Sequence, residues 1–372
     1  MTDRTAAYAT LIATLVLGAC AAPPREDSGA DDILGVDAAS ESTAEISTRD
    51  SPSADNVAQR DPPGCIPARP DVTTVDAMSD ATSDAAPVDP RATEFSFVTY
   101  NVLHGIRDED PAADSDDRIV ERLGQLAREL AARRPAMIFL QEILVTTTRP
   151  GYPDILGTLT AALNAAGGEP YVAVFGDIGG YPPACPPPVG LGEATLTRLP
   201  VVETHGHSVV SVQPFSPRSV VHVRVRTARG LVDTYNVHLQ GPDDPVRAAT
   251  EMRDVLAFVA VTQSSDGRAV IAGDFNSVES DTPHGVLRDA GFVDLGGRAG
   301  LMCARAGDPG CSNSTMPLAQ PGRRTDVRID YIFVRGIAPD AFRTTMFLDA
   351  PVPLADGGVL WTSDHIGVLA TE

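Results

Sequence analysis

The chain has 372 residues, 43% of them apolar, and a formal net charge of −21, with arginine supplying all 29 of its basic side chains. That acid excess excludes the broad basic surface on which non-specific nucleic-acid binding rests. The apolar fraction excludes a chain disordered along its whole length, because it is enough for one large core.

Residues 1–20 carry Arg4, an apolar run over 11–17, and the small residues Gly18 and Ala19 before Cys20. A run this short does not span a bilayer as a mature helix and reads as an export signal. Leu17-Gly18-Ala19-Cys20 resembles the lipobox of bacterial lipoproteins. That resemblance implies acylation of Cys20 and a membrane-anchored lipoprotein of the cell envelope, at the outer membrane or cell surface; a freely secreted enzyme is the alternative. Residues 21–92 are rich in Ala, Asp, Ser, Thr and Pro and show no hydrophobic period, so a disordered tether is expected there. Residues 93–372 then form one catalytic domain, still with 34 acidic side chains against 23 arginines. It is expected to be a monomer.

From residue 95 the pattern turns to short β-rich runs broken by helical periods. A strand over 95–100 is followed by a helix over 117–133, where Leu123, Leu126, Ala127 and Leu130 share a face and Pro135 stops the run. Next come a strand over 137–141 and a helix over 153–166 closed by Gly167-Gly168. Strands follow over 171–175, 193–197, 201–210, 219–226 and 231–238. A helix over 245–262 and strands over 268–273, 328–334 and 366–371 complete the series. Many strands carry polar alternation, as in antiparallel sheets buried on one side. The grouping favours an α/β sandwich over a strict βαβ repeat. Glycine- and proline-rich stretches at 176–192 and 299–325 read as specificity loops.

Among the cysteines beyond Cys20, Cys303 and Cys311 enclose a short Gly/Pro loop and are the favoured disulfide. Cys65 and Cys185 either pair or stay free. The other histidines, His104, His205, His207, His222 and His284, read as surface or packing residues.

Polar residues concentrate where apolar strands stop: Tyr100-Asn101, Gln141-Glu142, Asn236-Val237-His238, Gly273-Asp274-Phe275-Asn276, Arg328-Ile329-Asp330-Tyr331 and Ser363-Asp364-His365. Tips along one edge can converge on one pocket. In this order they resemble the endonuclease/exonuclease/phosphatase superfamily of deoxyribonucleases, apurinic endonucleases, inositol polyphosphate 5-phosphatases and neutral sphingomyelinases. Residues 192–200 resemble the family's strand before an S-R-x-P turn, with Thr197 in place of Ser. The resemblance implies an α/β fold, a four-layer α-β-β-α sandwich with two mixed, mainly antiparallel sheets.

A phosphodiester is anionic and a poor electrophile, so its hydrolysis needs charge neutralisation and an oriented water. The resemblance implies Mg²⁺, with Mn²⁺ as a substitute, held by Asn101, Glu142 and Asp364. It implies Asp274 as the group acting on the attacking water, Asn276 and His238 as phosphate contacts, and His365 as transition-state stabiliser or acid/base. Asp330 would orient His365; its alternative partner is Arg328. Arg218 fits a phosphate-contacting fork. The expected function is metal-dependent hydrolysis of a phosphoester of unknown identity, a diester before a monoester. The alternatives are an exported nuclease acting on DNA or RNA and a catalytically inactive, surface-displayed binding module.

Overall fold

The computed structural model describes residues 72–74, 95–103, 119–145, 154–177, 190–209, 218–240, 245–314, 318, 322–354 and 357–372. Cys20, Cys65, His104 and Cys185 lie outside them, as do the export signal and nearly all of the expected tether. Val72–Thr74, inside the expected tether, instead forms strand β1, antiparallel to β4 (Val172–Asp177). Val72, Thr73 and Thr74 are all β-branched, which suits a sheet edge.

Two sheets face one another. The first runs β1, β4, β5 (Gly190–Thr197), β3 (Met137–Val145), β2 (Ser96–Asn101), β15 (Gly367–Thr371) and β12 (Arg343–Phe347). The second runs β10 (Val293–Asp294), β11 (Asp330–Arg335), β9 (Ala269–Asp274), β8 (Gly230–His238), β7 (Arg218–Thr227) and β6 (Val201–Val209). A hairpin of β13 (Val352–Pro353) and β14 (Val359–Leu360) stands apart. Among the described strands, β2–β3 and β8–β9 alone pair in parallel. Parallel neighbours need a crossover, and each pair has a helix in it: α1 (Ile119–Arg133) and α3 (Pro245–Thr262).

Three apolar layers hold the four-layer sandwich. Phe97, Phe139, Val221, Val223, Val270 and Ile332 meet between the sheets. Val98, Leu140 and Ile138 turn outward onto Leu126 and Leu130 of α1 and onto Leu159 of α2 (Ile155–Ala165). Tyr235, Val237 and Ile271 turn outward onto Met252, Val255 and Val259 of α3. Each such side chain contributes about 1.5–3 kcal/mol of burial.

The expected one-sided burial is corrected here. Every residue of β2 and of β9 is buried, because the opposite sheet covers one face and a helix the other. Alternation survives on the edge strand β6. Among the elements not foreseen are α4 (Thr282–Asp289), a short helix with Gly285 inside it, the short strands β10, β13 and β14, and the polar edge strand β12. His222 and His284 are packing residues with no exposure, whereas His205 and His207 are partly exposed beside Glu203 and Asp254. Cys303 and Cys311 lie at disulfide distance, with Cα atoms 4.8 Å apart.

Candidate active site

Strand register brings the polar tips together. His238 on β8 is level with Asp274 on β9, and Asp330 on β11 sits directly opposite Asp274 from the other side. Side chains at paired positions share a face, here the one turned toward the first sheet. In that sheet Asn101 of β2 is level with Gln141 of β3.

Just inside the rim, a polar rung ties the sheets. Gln141 Nε2 donates to Asn236 Oδ1 at 2.7 Å, and Asn236 Nδ2 donates to the carbonyls of Leu140 and Ala194, each at 3.0 Å. Gln141 and Asn236 therefore serve as inter-sheet ties below the site.

Backbone geometry at the rim is unusual. Glu142 has φ +57° at a β-bulge between Leu140 and Ile143, and Asn276 has φ +45°. Left-handed backbone costs a residue other than glycine about 1–2 kcal/mol, less for Asn, and here it re-aims two polar side chains. Gly273, at φ +151°, runs so close to β8 that a Cβ would lie 1.8 Å from the Val237 carbonyl oxygen. Only glycine fits before Asp274.

Asp274 is the centre. Its Oδ1 accepts from the Asn276 backbone N–H at 2.8 Å and its Oδ2 from Asn101 Nδ2 at 3.0 Å. His238 Nε2 and His365 Nε2 reach the same Oδ2 at 3.5 and 3.6 Å. Each histidine is backed by a carboxylate. His365 Nδ1 lies 2.9 Å from Asp330 Oδ2, which also accepts from Ser312 Oγ at 2.6 Å. His238 Nδ1 faces Arg218 Nη1 at 3.4 Å and Glu193 Oε1 at 3.9 Å. Arginine can only donate, so the nearer neighbour leaves the His238 proton on Nε2, toward Asp274. Of the two partners weighed for Asp330, His365 is the one observed; Arg328 pairs with Asp294 at 2.8 Å.

Burial pushes the Asp274 carboxyl up to about 7, with Asp330 adding to the shift and His365 opposing it. Burial alone would discharge His365, but Asp330, Asp274 and Asp364 together outweigh it and hold the imidazole well above its usual range. The Asp364 carboxyl is pushed up first by burial and then by Glu142.

The sequence reading missed several residues. Glu193, 1% exposed on β5, accepts from Ser219 Oγ. Ser312 orders Asp330, and Ser363 Oγ donates to the Asn101 carbonyl at 2.7 Å. Arg122 of α1 is 1% exposed and its Nη1 donates to the carbonyls of Val102 and Thr362, each at 3.0 Å. It thereby clamps the segment after Asn101 to the one before Asp364. The signal for Arg122 was its place beside Leu123, within the apolar stripe that runs from Ile119 to Leu130.

Carboxylates outnumber cations here. Glu142, Glu193, Asp274, Asp330 and Asp364 gather around two histidines and Arg218. Such a donor set fits a metal ion, in two ways. Asp274, Asp330 and His365 offer ligand atoms all within 4.8 Å of one another. The set expected from sequence is the other: Asn101 Nδ2 donates to Glu142 Oε1 at 3.0 Å while its Oδ1 accepts from the Leu103 N–H at 3.0 Å, and the Glu142 charge is felt by the Asp364 carboxyl.

A two-sheet sandwich with carboxylates and histidines paired at its rim is the arrangement that the sequence resemblance implies. The chain belongs to the endonuclease/exonuclease/phosphatase family, whose model matches residues 98–365. Members of that family generally hydrolyse phosphoester bonds with the help of divalent metals. Among solved structures, a family protein from Leptotrichia buccalis is similar at a TM-score of 0.53 and 17% identity, over 74% of this chain and 98% of that one. A family protein from Bacteroides thetaiotaomicron aligns at 0.54 and 18% identity, over 75% and 97%. Truncated TDP2 from Caenorhabditis elegans aligns at 0.51 and 18% identity, over 75% and 97%. At such identities the likeness carries the fold alone. No curated protein matched the sequence.

Proposed function

We propose that this chain is a Mg²⁺-dependent phosphodiesterase in which an activated water attacks the phosphorus. The observation that carries the reading is the convergence of His238 Nε2 and His365 Nε2 on one carboxylate oxygen of Asp274. Asp274 accepts the proton of the attacking water, being the one buried carboxylate that both histidines face. His365 donates from Nε2 to a phosphoryl oxygen, with Asp330 fixing the tautomer from Nδ1. His238 donates to a second oxygen. Asn276 gives one amide proton to the Leu239 carbonyl at 3.0 Å and keeps another for the phosphate. Arg218 adds positive charge behind His238.

Asn101, Glu142 and Asp364 would hold Mg²⁺, or Mn²⁺ in its place; the ion supplies neutralisation of the phosphoryl charge when bound. This set is favoured over Asp274, Asp330 and His365 because a metal there would take up His365 Nε2 and the Asp274 carboxylate, the two groups assigned to the phosphoryl oxygen and the attacking water. The inactive binding module is disfavoured because the motif side chains that define the chemistry meet at one rim. A nuclease is disfavoured by the domain's 34 acids against 23 arginines, since a polyanion gains most of its affinity from basic surface.

A panel of phosphodiesters and phosphomonoesters, run with Mg²⁺ and with chelator, tests the function. Bis(p-nitrophenyl) phosphate should turn over with Mg²⁺ or Mn²⁺ and stop on chelation. Metal-independent turnover, or none across the panel, would remove the reading. Export and acylation at Cys20 are part of the same proposal: Cys20→Ala should move the protein from the membrane to the soluble fraction, and unchanged partition would refute the anchor.

A further inference from the structure

Ser312 follows Cys311 directly and is fully buried beside the His365–Asp330 pair. Its hydroxyl is filled on every side. Oγ donates to Asp330 Oδ2 at 2.6 Å and accepts from the backbone N–H groups of Ile329 at 3.1 Å and Asp330 at 3.2 Å. The backbone around it grips the other member of the pair. Ile366 N–H donates to the Ser312 carbonyl, Ser314 N–H donates to the Asp364 carbonyl at 3.0 Å, and Asn313 is bridged to His365 between them. Residues 312–314 are thus a strap, with one side chain on the carboxylate and backbone bonds on both neighbours of the imidazole that the carboxylate orients.

Two anchors hold the strap. The Val327 carbonyl accepts from Ser312 N–H at 2.7 Å and from Asn313 N–H at 3.1 Å. The other anchor is the cysteine pair. Cys311, 1% exposed, lies at disulfide distance from the half-buried Cys303, eight positions earlier. Residues 304–307 between them are exposed, which gives a reductant its approach. A covalent link that ends one residue before Ser312 narrows the positions open to its hydroxyl, and groups that orient a catalytic histidine are sensitive to small displacements.

We propose that the Cys303–Cys311 bridge is a redox control on turnover: closed, it fixes the strap and with it the setting of His365; open, it lets that setting loosen. The inference rests on the catalytic reading of His365 and Asp330 given above. Closure joins the two sulfurs, takes two electrons and two protons from the thiols, and converts a disulfide donor to its dithiol; a dithiol reductant reverses the exchange.

The full protein is compared before and after treatment with dithiothreitol, with the reductant then removed, by peptide mapping, hydrogen exchange and kinetics. Unreduced protein should yield a peptide in which Cys303 and Cys311 are linked. On reduction, exchange should quicken in peptides covering 311–314 and 364–366 and stay as it was in 269–274. The kcat for a phosphodiester should fall about three- to tenfold with KM within about twofold, and reoxidation should restore it. A general loosening would slow every variant alike, so His365→Ala is the control: reduction should not lower its residual rate further. The double variant Cys303→Ala, Cys311→Ala should match the reduced protein and ignore the reductant; if it does not fold, Cys303→Ala alone, which keeps the buried Cys311, takes its place. Free thiols at both positions before reduction overturn the proposal. So does an unchanged kcat, exchange that quickens only within 303–310, or a response to reductant that persists in the cysteine variant. The exchange measurement needs no turnover: a protein that hydrolyses no phosphoester yet loosens at 311–314 and 364–366 loses the catalytic reading and keeps the strap, whereas unchanged exchange removes the strap whatever the activity.

Discussion

Asp274→Asn lowers turnover of a phosphodiester by about a hundredfold or more, with the fold intact. General-base assistance is worth about 10²–10⁴ in rate, and an amide in place of the carboxylate cannot accept the water's proton. The substitution is nearly isosteric, and it removes a charge whose burial is unfavourable, as the upward shift of this carboxyl indicates. One local conflict arises, because Asn101 Nδ2 now donates to Oδ2 at 3.0 Å and would face a second amide. Asn101 must turn its amide or lose that bond, a cost of about 1 kcal/mol. Thermal unfolding measured beside kcat separates the two effects. A wild-type rate in a folded variant would place the proton acceptor elsewhere.

The second large effect concerns the pair on the other side. His365→Ala should lower kcat by about a hundredfold, because it removes the donor that Asp330 holds in place. Asp330→Ala should cost less, about tenfold or more, since it loosens the ring and alters its protonation without removing it. Asp330 acts through His365, so the double variant should be no slower than His365→Ala alone. Full additivity in the four-way comparison of rates would mean that Asp330 has its own contact with the substrate. The buried Asp330 Oδ1, which has no partner among the described residues, marks where such a contact would have to be made.

The sequence made most strands and three helices legible because apolar runs and their stops are local features. Pro135 after α1 and Gly167-Gly168 after α2 are such stops, the glycines at φ +84° and +87°. The candidate site was legible for a related reason: Asn101 and Asp274 close apolar-rich runs, and His238 and His365 stand in short polar motifs at strand ends. What stayed hidden depends on contacts far apart in sequence. Glu193 sits in a strand of small residues, and its partners Ser219 and His238 come from other strands. Ser312 lies in a loop and meaning comes to it only from Asp330. Gln141 and Asn236 are of the same chemical types as the site residues, and only the distance between the sheets sorts them into ties. The alternation was misjudged because period alone does not tell one covered face from two; the second sheet had to be in view.

The most direct measurement is a crystal of the protein grown with Mn²⁺ and inorganic phosphate, with the metal located by its anomalous signal. One phosphate should sit within hydrogen-bonding reach of both imidazole Nε2 atoms, with Mn²⁺ bound by Glu142 and Asp364. A metal lodged among Asp274, Asp330 and His365, or a phosphate bound away from both imidazoles, would contradict the account.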